Sequence, residues 1–452
     1  MRCDTLPSKF SGPSGFSYRM KRVLIVSPYF PPSMLAGVHR ARHLAKHLPA
    51  AGWQPTVLCV DENFHEEMID PELAKLLPAN IEVVKTKALS SQLTRSVGIG
   101  DISLRAFNHL KTSLRRILDT RPIDAVLITG SPYYPMLFSR WLKRRYGKPI
   151  VLDFQDPWVS GYGAAQSRFS KIGAAHWLAS QLEPRALRSA DFVTSVSDVQ
   201  NAELARRYPW LNPEKMAAIP IGGDLDDFQY LRLRDRPCPW IEGSPSFFTI
   251  SYIGNVWPGA YRTLETLFAA VAQLKIERPQ LYERLRLIFV GSSNLATTSV
   301  AEVVMPFARR AGIAEKVYEE PARIPYLDAL NIMLRSDILL MLGSNEPHYT
   351  ASKLYPTLLA ERPVLAIFHE QSDLCAITET VGGVMLVKFG NASPVTTKVD
   401  EIAQSLVALA EDRAKIAQVD SGKLESYLGP AIARRFADIF DQVRNSAKTK
   451  CV

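Results

Sequence analysis

Ser352 and Lys353 stand at a point of the chain where a phosphate group could bind. A short apolar segment follows them, and after it comes the apolar run Val364–Phe368. This order predicts a loop, a helix and a buried strand. The free N–H groups and positive dipole of the helix start, together with a hydroxyl and a lysine, suit an anion. The alternative is an ordinary helix start with a solvated lysine.

Arg262 follows a second junction of the same kind. The apolar run Phe247–Ile253 leads into a loop with Gly254 and Asn255, and a helical pattern begins near Arg262. A guanidinium group matches two phosphate oxygens at once, so Arg262 is a candidate for binding a diphosphate. Gly291, at the end of the next strand pattern, is expected beside it. The alternative is that Arg262 is a solvated residue at a helix start.

Two carboxylates lie at the end of the strand pattern Ile150–Phe154. Asp153 is part of the pattern, and Asp156 lies just beyond it. Ligands of open α/β sheets gather at the carboxyl ends of strands. Aspartate before proline is equally common in turns, which is the alternative. Ser131 and Tyr133, in the loop after the preceding strand pattern, are expected to lie beside these carboxylates.

Gly37 ends a proline-rich loop between the strand pattern Val23–Ser27 and a helix starting near Val38. Glycine permits a close approach of a ligand to the backbone, although an ordinary strand–loop–helix turn is the alternative. Further along, Asp224 and Asp226 form a D-x-D triplet after two glycines. A turn explains this triplet more simply than a metal site, and we expect no metal.

Short apolar runs alternate with amphipathic helical patterns along the chain, and the alternation restarts near residue 245. This pattern predicts two doubly wound parallel α/β sheets. The expected division is a flexible arm (1–20), an N-terminal domain (21–235), a C-terminal domain (245–428) after a proline-rich linker, and a final helical region (429–452).

The composition is that of an ordinary globular protein, with 47% hydrophobic and 22% charged residues among 452. No apolar run is long enough to cross a bilayer and no secretory leader is evident, so a cytoplasmic location is expected. The five cysteines are far apart and suggest neither disulfides nor zinc. The net charge of +9 favours anionic partners, and no nucleic-acid motif accompanies it.

Basic amphipathic patterns at 105–118 and 138–146 could lie on an anionic membrane surface. Such a surface would make the protein peripheral on the inner face of a membrane. The alternative is that the leucines of these patterns face the core and their charges face solvent.

Taken in order, these junctions resemble the family-4-like glycosyltransferases with the GT-B fold, in which two Rossmann-like domains face a cleft. The resemblance covers roughly residues 21–443, from "I-V-S-P-Y-F-P-P" through "V-L-D-F-Q-D-P-W", "I-P-I-G-G-D" and "Y-I-G-N" to "S-K-L-Y-P-T-L-L-A-E-R-P-V-L-A". It implies catalytic roles for Asp156, Arg262 and Lys353. It also implies that the donor is bound by Gly37, Arg40, Gly254, Asn255, Gly291, Glu346, Ser352, Leu354 and Tyr355. The residues implied on the acceptor side are Ser131, Tyr133, Asp153 and Gln155.

The chain departs from the family at two of these positions. Many members carry a histidine where this chain has Gln155, and a glutamate that grips the ribose where it has Pro356. The family also has an acidic residue where this chain has His348, and the nearby Glu346 could substitute for one of the two carboxylates.

The resemblance implies a hexosyltransferase that moves a sugar from a nucleoside-diphosphate sugar to a glycan or lipid-linked acceptor, as in polysaccharide biosynthesis. Retention of anomeric configuration, no metal and no cofactor are expected. A nucleotide-sugar epimerase of the same fold and a non-catalytic scaffold are the alternatives. The transferase expectation requires Arg262 and Lys353 to face one cleft.

Overall fold

The computed structural model describes residues 19–96, 98–241, 247–293, 301–345, 352–411 and 418–449. Within them the chain forms two parallel sheets, of seven strands in the order β3-β2-β1-β4-β5-β6-β7 and of six in the order β10-β9-β8-β11-β12-β13. The fold is α/β with two doubly wound domains, as the sequence predicts. The strands are β1 Lys21–Val26, β2 Trp53–Val60, β3 Glu82–Thr86, β4 Ala125–Gly130, β5 Ile150–Phe154, β6 Phe192–Ser195, β7 Met216–Ala218, β8 Phe248–Ile253, β9 Leu285–Val290, β10 Val317–Glu320, β11 Ile338–Leu342, β12 Val364–His369 and β13 Val384–Phe389.

Helices connect the strands and cover both faces of each sheet. In the described residues they are α1 Val38–His47, α2 Pro71–Ala74, α3 Ser91–Arg95, α4 Ile102–Arg105, α5 Phe107–Thr120, α6 Phe138–Tyr146, α7 Gly161–Ala164, α8 Lys171–Leu187, α9 Asp198–Arg207, α10 Leu225–Arg232, α11 Tyr261–Glu277, α12 Pro279–Arg284, α13 Met305–Arg310, α14 Tyr326–Arg335, α15 Leu354–Leu359, α16 Asp373–Val381, α17 Val399–Glu411, α18 Ser421–Glu425 and α19 Gly429–Thr449.

The apolar runs named from the sequence are the strands at and beside the middle of the sheets. Residues 125–130 and 150–154 are buried throughout, because a central parallel strand is covered by helices on both faces. The strands β3, β7 and β10 were not predicted, and all three lie at sheet edges. Their residues are mostly only partly buried, so they lack the continuous apolar pattern.

The last helix, α19, packs on the N-terminal sheet rather than on the domain that precedes it. Its Phe436 and Phe440 are fully buried, and the Phe440 ring lies 5.2 Å from that of Trp53 at the start of β2. Gly223 pairs with Leu428 just before this helix. A side chain at Gly222 would collide with Ile432, so the small residues at 222 and 223 allow this crossing.

The helices α5 and α6 bury the apolar side of their basic amphipathic patterns. Leu110, Leu114 and Ile117 on α5, and Phe138 and Leu142 on α6, belong to the N-terminal core. The exposed residues of these two helices are charged or polar, which is the alternative given for them above. No helix in the described part of the chain is both long and apolar enough to span a bilayer.

Each sheet has one point where the strand order reverses, between β1 and β4 in the first and between β8 and β11 in the second. Loops that follow such strands leave a crevice at their carboxyl ends. The loops after β1 and β7 of the first domain meet those after β8, β9 and β10 of the second, and a cavity lies between them.

Candidate functional site

A cavity of about 280 Å³ lies between the two domains. The N-terminal domain contributes the loop after β1, the exposed edge of α1 and the glycines at 222 and 223. The C-terminal domain contributes residues that follow four of its strands, together with α14 and the start of α15. The lining is mostly apolar, with a few polar side chains such as Asn255, Ser293 and Ser352 at strand ends, which is the usual position and character of a ligand site in this kind of fold.

Lys353 provides a positive charge on the cavity wall, directly beside Gly254. A Cβ atom on Gly254 would lie only 1.6 Å from the Lys353 Nζ, so only glycine leaves room for the ammonium group there. The Nζ also lies 5.5 Å from the centre of the Tyr252 ring. Gly254 itself has a φ of 128°, which glycine adopts without strain.

Desolvation and the nearby charge of Arg323 lower the pKa of Lys353 to about 8. Among the described residues, no carboxylate contributes to this shift. An ammonium group held without a counter-ion next to a second cation favours the arrival of an anionic ligand.

Arg323 is the second cation of the cavity, and the sequence analysis missed it. It lies in the loop after β10, the edge strand that was also missed, and it lines the cavity with Lys353. Burial lowers the pKa of Arg323 below its ordinary value. The rule that ligands gather at the ends of parallel strands would have pointed to it, had β10 been recognised.

Arg262, by contrast, does not line the cavity. Its side chain is exposed on the first turn of α11. The expected pairing of Arg262 with Lys353 is therefore not the one found in this structure, where Arg323 accompanies the lysine. The helix start was recognised correctly, but its direction relative to the cleft depends on how the loop at 254–260 folds.

Other expected donor-side residues do line the cavity. Gly254, Asn255, Gly291 and Ser352 are all part of its wall, and so is Pro356. Gly291 has a φ of 69° and brings its backbone close to that of Gly254. Glu346 lies outside the described residues.

Leu354 and Tyr355 point away from the cavity. Leu354 is buried in the core between α15 and its neighbours. The Tyr355 ring stacks on that of Tyr427 at 5.4 Å and packs against Gly223 of the other domain. These two residues hold α15 in place and connect the domains, instead of binding a ligand directly.

Arg40 and Asp153 form a fully buried pair rather than a ligand site. The Arg40 Nε donates to Asp153 at 3.2 Å, and its other nitrogens donate to the carbonyls of Ile219 and Pro220. Thr129 and Thr194 donate to the same carboxylate. All three guanidinium nitrogens of Arg40 and both carboxylate oxygens of Asp153 are thus hydrogen-bonded within the protein. The donor-side role of Arg40 and the acceptor-side role of Asp153 are replaced by a structural one.

Gln155 connects the loop that carries Gly37 to the strand ends of the first sheet. Its Nε2 donates to the carbonyl of Gly37 at 3.1 Å and to Thr129 at 2.6 Å. A Cβ atom on Gly37 would lie 3.3 Å from the carbonyl oxygen of Ser131, so the two loops touch. Gly37 itself is adjacent to Ala36, which lines the cavity. Gln155 thereby positions the rim of the cleft on the N-terminal side.

Tyr133 and Asp156 lie together at the ends of β4 and β5. The Tyr133 hydroxyl donates to the backbone carbonyl of Asp156 at 2.9 Å, and its ring stacks on Trp158 at 5.4 Å. The Asp156 side chain is exposed, and partial desolvation raises its pKa above the ordinary aspartate value. Ser131 is exposed beside them. Ser131 and Asp156 are thus exposed beside the half-buried Tyr133, whereas the other two expected acceptor-side residues, Asp153 and Gln155, are buried.

The carboxylates of the D-x-D triplet are engaged by neighbouring residues. Asp224 begins α10 by accepting from the N–H of Asp226, and it also binds Lys46 and His47 at 2.8 and 2.9 Å. The sequence predicted this turn, and in the structure the Asp224 carboxylate also contacts Lys46 and His47.

A buried ion pair connects α1, α10 and α14 behind the cavity. Arg42 donates to Asp227 at 2.8 Å, and the Tyr326 hydroxyl of the second domain donates to the same carboxylate at 3.0 Å. His43 accepts from Arg42, and desolvation lowers the pKa of His43 to about 3. His43 therefore remains neutral on the cavity wall at physiological pH.

Comparisons with known proteins agree with this geometry. Residues 36–222 match the glycosyl transferase 4-like domain. A glycosyltransferase from Rickettsia africae ESF-5 is 15% identical, with 94% of this chain and 99% of that one aligned at a TM-score of 0.59. HepE from Anabaena, in complex with UDP and glucose, is 16% identical over 95% and 99% of the chains, with a TM-score of 0.56.

A third similar structure is WaaG, a glycosyltransferase involved in lipopolysaccharide biosynthesis. It is 13% identical over 94% of this chain and 99% of that one, with a TM-score of 0.52. No curated protein matches the chain in sequence. At these identities the solved structures establish the fold, and the domain match is what concerns activity.

Proposed function

We propose that the chain is a family-4-like glycosyltransferase of the GT-B fold that transfers a sugar from a nucleoside-diphosphate sugar to a glycan or lipid-linked acceptor, and the match of residues 36–222 to the glycosyl transferase 4-like domain supports this. The observation that carries the proposal is the pair of cations, Lys353 and Arg323, on the wall of the interdomain cavity. HepE, which has the same fold, was solved with UDP and glucose.

The diphosphate of the donor would lie against the C-terminal domain. Lys353 and Arg323 supply charge there, Ser352 and Asn255 supply hydrogen-bonding groups, and Gly254 and Gly291 allow the backbone to approach. The bond between the sugar C1 and the diphosphate oxygen breaks with its electron pair on the diphosphate. Fixed positive charge stabilises this departing anion more than it stabilises the intact donor, and so lowers the barrier. No step of this scheme requires a metal.

The acceptor would approach over the N-terminal domain. Its hydroxyl oxygen forms the new bond to C1 and gives its proton to the departing diphosphate. Asp156 is an exposed carboxylate whose backbone contacts Tyr133 beside Ser131, and it would orient the hydroxyl or stabilise the positive sugar ring. We propose retention of configuration at C1, as the resemblance to family-4-like enzymes implies.

A ligand screen followed by a product assay tests the proposal. The full chain is mixed with nucleoside-diphosphate sugars that differ in base and sugar, and the shift of its unfolding temperature is measured. We expect at least one donor to raise the temperature, and the Lys353→Met variant to lose the response. That donor is then incubated with and without candidate acceptors, and the anomeric configuration of the product is read by NMR.

Three results would contradict the proposal. No shift with any donor would favour a non-catalytic scaffold. Conversion of the donor sugar to its epimer without an acceptor would favour an epimerase. A donor shift that is equally large in Lys353→Met would mean that the ligand binds outside the described cavity.

A further inference from the structure

Two histidines of α1, His39 and His43, line the interdomain cavity. His43 uses both of its ring nitrogens, since its Nε2 accepts from Arg42 at 2.9 Å and its Nδ1 donates to the carbonyl of Ile221 at 3.4 Å. The Nδ1 of His39 accepts from the same guanidinium at 3.4 Å. The Nε2 of His39 has no hydrogen-bond partner among the described residues, and this atom is not buried.

The guanidinium group of Arg42 determines which nitrogen of His39 carries the proton. Arg42 is fully buried, and its Nη1 donates to Asp227 at 2.8 Å. Its Nη2 faces the Nδ1 of His39, so a proton on that nitrogen would point at another donor. Burial and the charge of Arg42 also hold the pKa of His39 well below its ordinary value, which keeps the ring neutral. The neutral ring therefore carries its proton on Nε2 and offers a hydrogen-bond donor to the cavity.

Both domains hold the His39 ring in place. The Tyr326 ring of α14 lies 4.5 Å from it, measured between ring centres, and the Tyr326 hydroxyl donates to Asp227 at 3.0 Å. The Arg42 guanidinium lies 5.3 Å from the centre of the same tyrosine ring. Asp227 thus fixes the two side chains that contact the imidazole. A donor whose direction is set before the ligand arrives loses little entropy on binding.

The location of His39 indicates which part of a nucleoside-diphosphate sugar it meets. Lys353 and Arg323 line the cavity from the C-terminal domain, whereas His39 lines it from the N-terminal domain. His39 lies two residues after Gly37, whose Cα lies against the carbonyl of Ser131 on the acceptor side. The transferred sugar is bonded to the diphosphate and must also reach the acceptor, so it has to occupy the space between the cations and the acceptor side.

We infer that His39 is a specificity-determining residue, whose Nε2–H donates to a hydroxyl oxygen of the transferred sugar. This inference rests on the proposed function and deepens it, because it names the part of the donor that the N-terminal side of the cavity recognises. A neutral imidazole reads a hydroxyl oxygen without adding a third positive charge beside Lys353 and Arg323. A sugar that lacks this hydroxyl leaves the N–H unpaired and binds more weakly.

Calorimetry with the full chain compares two probes that differ only in the sugar. They are the nucleoside-diphosphate sugar with the largest thermal shift in the ligand screen and the corresponding nucleoside diphosphate. His39→Phe keeps a ring against Tyr326 but has no donor. We expect it to weaken binding of the sugar nucleotide about tenfold and to leave binding of the nucleoside diphosphate unchanged. His39→Gln restores an N–H and should recover most of the loss, which a purely structural role of the ring would not allow.

His47→Gln is the matched control, because it makes the same exchange on the same helix at a residue that contacts Asp224 and does not line the cavity. Its affinity for both probes should equal that of the unmodified chain. Sugar nucleotides in which single hydroxyls are replaced by hydrogen then locate the contact. One of them should bind the unmodified chain more weakly and lose nothing further in His39→Phe.

A second measurement needs no ligand. In nitrogen NMR of the full chain with labelled histidines, the signals that disappear in His39→Phe belong to His39. At neutral pH we expect them to show a neutral ring with its proton on Nε2. A charged ring, or a ring with its proton on Nδ1, would overturn the inference.

The binding measurements can overturn it as well. Undiminished affinity of His39→Phe for the sugar nucleotide would remove the inference, and an equal loss for both probes would mean that His39 contacts the nucleotide and not the sugar. Either result leaves the proposed function intact, because the unmodified chain still binds and transfers the donor. If no donor binds the unmodified chain, the proposed function and this inference fall together.

Discussion

Affinity for a nucleoside diphosphate should fall about tenfold between pH 7 and pH 9, because Lys353 loses its charge in this interval. The pKa of Lys353 is lowered to about 8 in the empty site by desolvation and by Arg323. The ammonium form is then about 90% populated at pH 7 and about 10% populated at pH 9. A bound diphosphate favours this charged form and raises its pKa, so binding takes up a proton above pH 8.

The direction of the effect follows from this linkage. Affinity is at its full value well below pH 8, and it declines by up to tenfold per pH unit above 8 until the pKa of the occupied site is reached. The phosphate groups contribute little over the same interval, since their last ionisation, near pH 6, is complete. The surrounding protein remains folded, so the change reports the site itself.

Isothermal titration calorimetry with the nucleoside diphosphate of the best donor measures this dependence. The Lys353→Arg variant is the control, because a guanidinium keeps its charge over the whole interval and the slope should flatten. The Lys353→Met variant should bind weakly at both values of pH. Equal affinity of the unmodified chain at pH 7 and pH 9 would refute the reasoning, and so would an undiminished slope in Lys353→Met.

Three further predictions concern other parts of the site. Gly254→Ala should weaken diphosphate binding tenfold or more in calorimetry, because its Cβ would occupy the place of the Lys353 ammonium; Gly312→Ala, which also has a positive φ but nothing within 4 Å, should leave the affinity unchanged. Asp156→Asn should lower kcat with little change in unfolding temperature, and unchanged transfer kinetics in this variant would exclude a catalytic role for Asp156. Asp153→Asn should instead lower the unfolding temperature, because it disrupts a fully buried pair. Asp227→Asn should destabilise the protein by about 3–5 kcal/mol in denaturant unfolding, since it leaves the Arg42 guanidinium buried without its partner charge; Tyr326→Phe removes one hydrogen bond to the same carboxylate and should cost only about 1 kcal/mol, so equal losses would contradict this account.

The middle of each sheet and the loops after it could be read from the sequence. Buried parallel strands carry continuous apolar runs, and their flanking glycines and polar residues mark where the loops begin. Gly254, Gly291, Ser352 and Lys353 were found in this way, and they do line one cavity. Arg323 was missed because it follows an edge strand whose pattern is short and half exposed.

Residue type and order do not show whether a polar group faces a ligand or another part of the protein. Arg40 and Asp153 satisfied every pattern for a binding site, yet they are fully buried against each other and against backbone carbonyls. Arg262 begins the expected helix but faces solvent. These outcomes depend on contacts between segments more than a hundred residues apart.

The amino-acid sequence thus determined the two-sheet architecture and the strand ends that line the cavity, since hydrophobic periodicity and short loop motifs are local properties of the chain. Only the tertiary structure decided which cations share the cavity and which carboxylate remains accessible. It also showed that the leucines of α5 and α6 belong to the core. The physical reason is that burial and pairing of a charge are set by the neighbours that folding brings to it, and the sequence around the residue does not contain them.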